Sequence, residues 1–308
     1  MAEMTFVIIY ENEKTEAQDV LYYEWSRAAD APCDAIRLSY IPSVQDEAQK
    51  LKAYCDGECV FSGFVDLQSR YSDEKGEREF IYARSTACLL VDNEAELINY
   101  KAPCVNSLFT VNAKPFGFKN NLNNYSTTAD YSVLKGTSCY GAINNFISAF
   151  EDKALRVSPE NELYIPSGEV EYCVDPDSVI SVKKSVNRGS AVSRIDYKTD
   201  GGYSHHRASR ELEDRGIARS RKMNMSSLPE WQRKTALSNV LKRLAEDYYS
   251  AEITVDGVAF AQLYSAVVYD GLEGYYITAL DTVFNKEGAK TKISLRKKLG
   301  LREADYVA

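Results

Sequence analysis

The chain has 308 residues, enough for two or three compact units, because single cores rarely keep growing at that length. Its 44% hydrophobic and 27% charged residues suit a folded protein and exclude a disordered one. A formal net charge of -8 argues against wrapping a phosphate backbone, and no run approaches the roughly 20 apolar residues of a membrane helix, so neither sequence-specific nucleic acid binding nor a membrane anchor is expected.

The first residues, Met1-Ala2-Glu3-Met4-Thr5-Phe6, lack the basic flank and cleavage site of a signal peptide, so synthesis in the cytoplasm and a soluble product are expected. Cys33, Cys55, Cys59, Cys88, Cys104, Cys139 and Cys173 are an odd, scattered set with no disulfide-scaffold spacing. They read as reduced and mostly buried thiols.

In chain order, Thr5-Phe6-Val7-Ile8-Ile9-Tyr10 and Ala35-Ile36-Arg37-Leu38-Ser39-Tyr40 read as strands bounded by turn residues. From Ala53 to Val65, Asp56-Gly57 sits between two apolar runs and predicts a hairpin. A second hairpin turns at Asp73-Glu74-Lys75-Gly76 and returns through 78–84, and 86–95 reads as a short helix.

From residue 101 the character changes. A polar loop over 119–132 precedes a helix whose Cys139, Ile143, Phe146, Ile147 and Phe150 keep helical spacing. The last part opens with strands at 179–182 and 193–197, then a long helix over 228–249. Ser227 and Glu230 make a capping box for it, Pro229 falls in its first turn, and Leu237, Val240, Leu241, Leu244 and Tyr248 form one stripe. Strands at 252–255, 263–269, 275–283 and 291–296 complete the pattern, the last two joined by a turn at Asn285-Lys286-Glu287-Gly288. That hairpin matches the one at Asp73–Gly76 at a constant offset of 212, which aligns Ile81 with Ile293 and Arg84 with Arg296 and hints at an internal duplication.

Chemistry-bearing motifs are sparse. His205 and His206 are the only histidines, and beside Gly201-Gly202 they read as a solvated hairpin rather than a base for a nucleophile. Cys55 and Cys59 flank a turn, with no second pair to complete a metal set. No phosphate-binding glycine loop occurs. Acidic clusters at Glu11–Glu16, Glu94–Glu96, Glu151-Asp152 and Glu211–Asp214 could supply paired carboxylates, though such clusters are usually solvated faces. Arg207, Arg210, Arg215, Arg219, Arg221 and Lys222 are interleaved with acids, which suits a subunit contact better than a nucleic-acid groove. No catalytic, cofactor-binding or metal-ligating residue is therefore assigned, and no cofactor is expected.

The run from Tyr54-Cys55-Asp56-Gly57 through Val60-Phe61-Ser62-Gly63-Phe64-Val65-Asp66, then Lys75-Gly76 and Leu89-Leu90-Val91-Asp92-Asn93-Glu94-Ala95, resembles the N-terminal domain of tail hub proteins. Those proteins carry a D-G-x-x-x-F-x-G-x-V hairpin and an L-L-x-D-N-E-A helix. Ser138-Cys139-Tyr140 opening a helix and Ala154-Leu155-Arg156-Val157-Ser158-Pro159 after it look like the insertion domain of the same family, late control protein D and its relatives.

The resemblance implies a mainly β fold: two tail-tube-like small β-barrels with helices, plus an α/β insertion domain. The expected domains are a first barrel over 1–100, the insertion over 101–172 and a second barrel over 173–308, with strands free to exchange across the boundaries. It further implies a non-enzymatic baseplate hub of a contractile phage tail or bacteriocin-like particle. Such a hub is a homotrimer whose pseudo-sixfold face meets the hexameric tail tube, or a tube-initiator protein, and whose other face meets the central spike. Tape measure and baseplate wedge proteins are further expected partners. Assembly is expected in the bacterial cytoplasm, and the product in the virion tail or a released particle. The chain ends soon after the last hairpin, so any wall digestion is expected from another chain. Two other classes remain open: a tail-associated peptidoglycan hydrolase using the carboxylates, and a carbohydrate-binding or surface-binding β module using the 22 tyrosines.

Overall fold

Alternation of apolar and polar residues writes most of the strands, and the turn residues between them set their pairing. The computed structural model describes residues 3–299 and 303–307, except 75, 200, 201 and 227–229. Strand accounts for 46% of the chain and helix for 18%, so sheets position everything else.

The first part holds β1 (Met4–Ile9), β2 (Lys14–Glu16), β3 (Val20–Ala28), β4 (Ala35–Tyr40), β5 (Lys50–Cys55), β6 (Glu58–Asp73) and β7 (Gly76–Ser85). Phe6, Ile8, Trp25, Leu51, Phe61 and Ile81 turn inward to make its core. The expected hairpin joins β5 to β6, with Cys55 opposite Glu58. Asp56 and Gly57 take φ of 48° and 84°, the left-handed pair that a two-residue hairpin turn needs. Strand β3 escapes the sequence reading because Tyr22, Tyr23 and Trp25 place aromatics on both faces and blur the alternation.

The middle part runs through α1 (Cys88–Asp92), β8 (Asn99–Tyr100), α2 (Val105–Asn112), β9 (Lys119–Asn120), β10 (Tyr131–Ser132), α3 (Cys139–Ile147), β11 (Arg156–Val157) and β12 (Glu162–Tyr164). A separate core of Leu90, Val105, Leu108, Ile143, Phe146 and Leu163 sits between the helices. Ser138 caps α3 by accepting from the Gly141 amide at 3.0 Å. Helix α2 went unread because Val105, Asn106, Thr110, Val111 and Asn112 are poor helix formers, and packing of Leu108 and Phe109 overrides them.

The last part comprises β13 (Glu171–Cys173), β14 (Val179–Val186), β15 (Arg194–Thr199), β16 (Gly202–Ser209), α4 (Arg210–Asp214), β17 (Ser220–Asn224), α5 (Glu230–Ala245), β18 (Tyr249–Asp256), β19 (Ala266–Val268), β20 (Tyr275–Asn285), β21 (Gly288–Lys297) and β22 (Glu303–Val307). The expected long helix is α5 followed by a 3-10 turn over Glu246–Tyr248. Of its proposed cap, Ser227 and Pro229 lie outside the described residues. The stripe divides: Leu237 and Leu241 pack on Ile195 and Met225, whereas Tyr248 packs with Leu212 and Ile217.

Among the described residues, one thirteen-stranded sheet has the order β14-β18-β21-β20-β3-β4-β7-β6-β5-β1-β2, with β13 and β19 attached off that path. Strands β17-β15-β16-β22 form their own sheet beside α5, so the segment at 193–197 pairs apart from the large one.

The large sheet is a duplication. Asp73 pairs Gly76 and Asn285 pairs Gly288, and both glycines take φ of 103°. Leu67 opposes Tyr82 as Ala279 opposes Ser294, and each hairpin slips register at the same place, between Val65 and Leu67 and between Ile277 and Ala279. The equivalence extends outward. β4 flanks β7 as β18 flanks β21, and β3 flanks β4 as β14 flanks β18. The slip between Val20 and Tyr22 recurs between Val179 and Ser181. Two copies of one four-stranded set, β3-β4-β7-β6 and β14-β18-β21-β20, are thus joined edge to edge where β20 meets β3.

Candidate functional site

His205 sits on β16 opposite Tyr197, and their rings stack at 5.5 Å. His206 sits opposite Asp196 on β15 and Tyr306 on β22. Both are therefore strand residues beyond the tip, and adjacent strand residues face opposite sides.

Cys55 is buried and Cys59 half-buried on the two strands of the first hairpin, and burial pushes both thiols up. Of the other cysteines, Cys88 and Cys139 are buried, Cys33 and Cys104 half-buried, and Cys173 exposed. Burial pushes the Cys33 thiol up to about 12, so it is no nucleophile near neutral pH. Among the described residues, no three His, Cys, Asp or Glu side chains gather as a metal set would require.

Members of three of the four acidic clusters serve local structure. Glu94 accepts from the Gly136 amide at 2.8 Å, Glu151 accepts from the Tyr125 hydroxyl, and Glu211 pairs with Arg215 at 3.0 Å. Asp152 lies 3.7 Å from Lys242 on α5. The basic segment is likewise stitched into its own surroundings. Arg215 donates to the Tyr249 hydroxyl at 2.7 Å, with its guanidinium over the Tyr248 and Tyr249 rings, and Arg219 donates to the Arg188 carbonyl.

One cleft unites groups that could do acid–base work. Asp152, Lys242, Glu246, Tyr264, Tyr276 and Lys298 line a space of about 200 Å³. Burial pushes the Glu246 carboxyl above its ordinary range, and Asp152 adds to the push. Burial and Glu246 together raise the Tyr276 phenol. Two carboxyl groups sharing a cleft, one of them raised by burial, are the kind of pair that sugar cleavage uses. The space, however, falls short of the roughly 300–1,000 Å³ of ordinary ligand pockets. Sequence reasoning had flagged Asp152 but not Glu246, which reads on its own as one more surface acid after α5. As for the tyrosines, Tyr10, Tyr23, Tyr40, Tyr140, Tyr248 and Tyr275 are buried in cores, whereas Tyr71 and Tyr203 are about half exposed.

What the described surface does offer is sheet edge. β14 ends the large sheet, and its Val182 and Val186 stand in solvent. Unpaired strand edges carrying apolar side chains suit assembly better than catalysis.

No protein-family model matches the sequence, and no curated protein matches it significantly. Solved structures do match by fold. A tail protein from Neisseria meningitidis superposes with a TM-score of 0.77 at 13% identity, covering 96% of each chain. A 43 kDa tail protein of prophage MuSo2 from Shewanella oneidensis gives 0.75 at 17% identity, over 95% of this chain and 98% of that one. An Escherichia coli component of the type VI secretion system, itself structurally similar to the T4 bacteriophage tail proteins gp27 and gp5, gives 0.58 at 8% identity over 97% of this chain and 77% of its own. At such identities the likeness is one of fold, and the fold is that of phage tail proteins.

Proposed function

We propose that this chain is the structural baseplate hub of a contractile tail or tail-like particle, a homotrimeric adaptor between the hexameric tail tube and the central spike. One observation carries the reading: the fold matches two tail proteins over nearly the full length of both chains. The duplicated strand set supports it, since three chains with two copies each present six equivalent units to a sixfold partner. Residues 1–100 and 173–308 would supply the two tube-like units and 101–172 the insertion. The partners are then the tail tube or its initiator and the spike, with tape measure and wedge proteins at the periphery. The role is mechanical rather than enzymatic, and the protein joins a tail assembled in the bacterial cytoplasm.

Electron microscopy of the chain co-expressed with its genomic neighbours tests this. A threefold ring with a tube-wide central channel is expected. A lone globular particle in the presence of tube and spike proteins overturns it.

A further inference from the structure

A purely mechanical role leaves the cleft of Asp152, Lys242, Glu246, Tyr264, Tyr276 and Lys298 without a task. It lies where three parts of the chain meet. Asp152 and Lys153 come from the segment between α3 and β11, Lys242 from α5 and Glu246 from the 3-10 turn after it, Tyr276 from β20, and Lys298 from just past β21. A space of about 200 Å³ matches the volume of about six or seven waters. That is small for an organic cofactor and ample for one inorganic oxyanion.

Charge in the cleft is unbalanced. The ammonium groups of Lys153, Lys242 and Lys298 line it against the two carboxyl groups of Asp152 and Glu246. Lys242 stands 3.7 Å from Asp152. Lys153 donates to the Ser167 carbonyl, which carries no net charge to offset its own. Lys298 is exposed, and its ammonium lies 5.7 Å over the Tyr276 ring. Glu246 already has Arg296 at 3.8 Å, and burial raises its carboxyl, which favours the uncharged form. The cleft therefore carries a positive excess, which grows when Glu246 takes up a proton.

The fold itself does not require these groups. At the offset of 212, the first copy carries Phe64 where the second has Tyr276, and Thr86 where it has Lys298. The same strand geometry thus stands without the hydroxyl or the ammonium. Tyr264 is held at a φ of 68°, a left-handed conformation that is strained for a bulky aromatic residue. Its ring stacks on that of Tyr276 at 6.1 Å. Its hydroxyl accepts from the Ala154 amide at 3.2 Å, which leaves its own hydrogen to donate.

We propose that this cleft binds a small tetrahedral oxyanion of the phosphate class, held by the ammonium groups of Lys153, Lys242 and Lys298 and by the Tyr264 hydroxyl. Three point charges around one centre match a tetrahedral dianion better than a planar carboxylate with a single charge. Each lysine belongs to a different part of the chain: the middle part, α5 and the end of β21. The bound anion therefore ties the middle part, the long helix and the second strand set together. The site goes beyond the hub reading, and neither depends on the other.

The test is isothermal titration of the full chain with inorganic phosphate at constant ionic strength. Saturable binding with a dissociation constant of about 1 mM or tighter is expected. Lys298→Ala is expected to weaken it at least about tenfold, as the loss of one charge-assisted bond does. Lys14→Ala, on β2 and outside the cleft, is expected to leave it unchanged. Both positions are exposed, and retention of the parent melting temperature shows that each variant folds. Amide exchange over 152–154 and 297–299 is expected to slow when phosphate binds, which locates the site without any substitution. Binding weaker than about 10 mM, or equal losses in the two variants, is a general salt effect and overturns the inference. Unchanged exchange over both segments despite binding places the anion elsewhere and overturns it too. Acetate binding as tightly as phosphate overturns the phosphate class.

Discussion

Arg156, only 4% exposed, forms an ion pair with Asp34, 122 residues earlier in the chain, and donates to the Ala28 carbonyl at 2.8 Å and to that of Ala31. Strand β11 of the middle part is thereby fastened to the turn between β3 and β4. Removing one partner of such a pair leaves a buried charge uncompensated, which costs about 3–5 kcal/mol. Asp34→Ala is expected to lower stability by about that much in urea unfolding. A loss near zero, as for the exposed pair of Lys101 and Asp130, would show that water reaches Arg156.

Gly63 lies where β6 crosses close to β7. A Cβ there would stand 2.2 Å from the Arg84 carbonyl oxygen, which belongs to backbone and cannot swing aside. Gly63→Ala is expected to cost at least about 1–3 kcal/mol, as overpacked cores do. At Gly57 the φ of 84° is unfavourable for alanine but the space is open, so Gly57→Ala is expected to cost about 1–2 kcal/mol. Thermal unfolding of the two variants side by side checks the order; a smaller loss at Gly63 would mean that the strands separate readily.

Thr291 occupies in the second copy the place that Glu79 holds in the first. Glu79, fully buried, accepts from the Tyr40 hydroxyl and pairs with Arg70. Thr291 donates to the Gly257 carbonyl at 2.8 Å, accepts from the Ala259 amide at 3.0 Å and meets the Thr282 hydroxyl at 3.1 Å. Thr291→Val strands these buried groups and is expected to cost about 1–3 kcal/mol, read by chemical denaturation.

Glu246 predicts a pH dependence. Its folded pKa is raised by burial, so its stabilising contribution is fully present below the unfolded value near 4.5 and is lost as pH rises through the folded value. Relative to the parent, Glu246→Gln is expected to gain stability as pH rises above the unfolded value near 4.5, measured by melting temperature across a pH series. A difference that stays constant with pH would show that the carboxyl titrates as in water.

Much of the fold is legible from local chemistry. Asp56-Gly57 sets the first hairpin because only left-handed residues close a two-residue turn, and β4 runs from Ala35 to Tyr40 as its alternation predicts. The offset of 212 is visible because turn residues and inward isoleucines repeat in order. Helix α2 and strand β3 were illegible for one reason: their side chains are chosen for tertiary packing, and propensity and period are overridden. Glu246 escaped because a single acid carries no signal until the fold buries it.

The amino-acid sequence by itself determined a mainly β protein with hairpins and an internal duplication, since turns, periods and residue types act over a few neighbours. The tertiary structure alone decided that the two copies join in one sheet through β20 and β3, that β15 and β16 pair apart from it, and that, among the described residues, β14 and half of β6 have one strand neighbour each. Those outcomes depend on which strand edges meet across more than 200 residues, and no local pattern encodes an edge left without a neighbour.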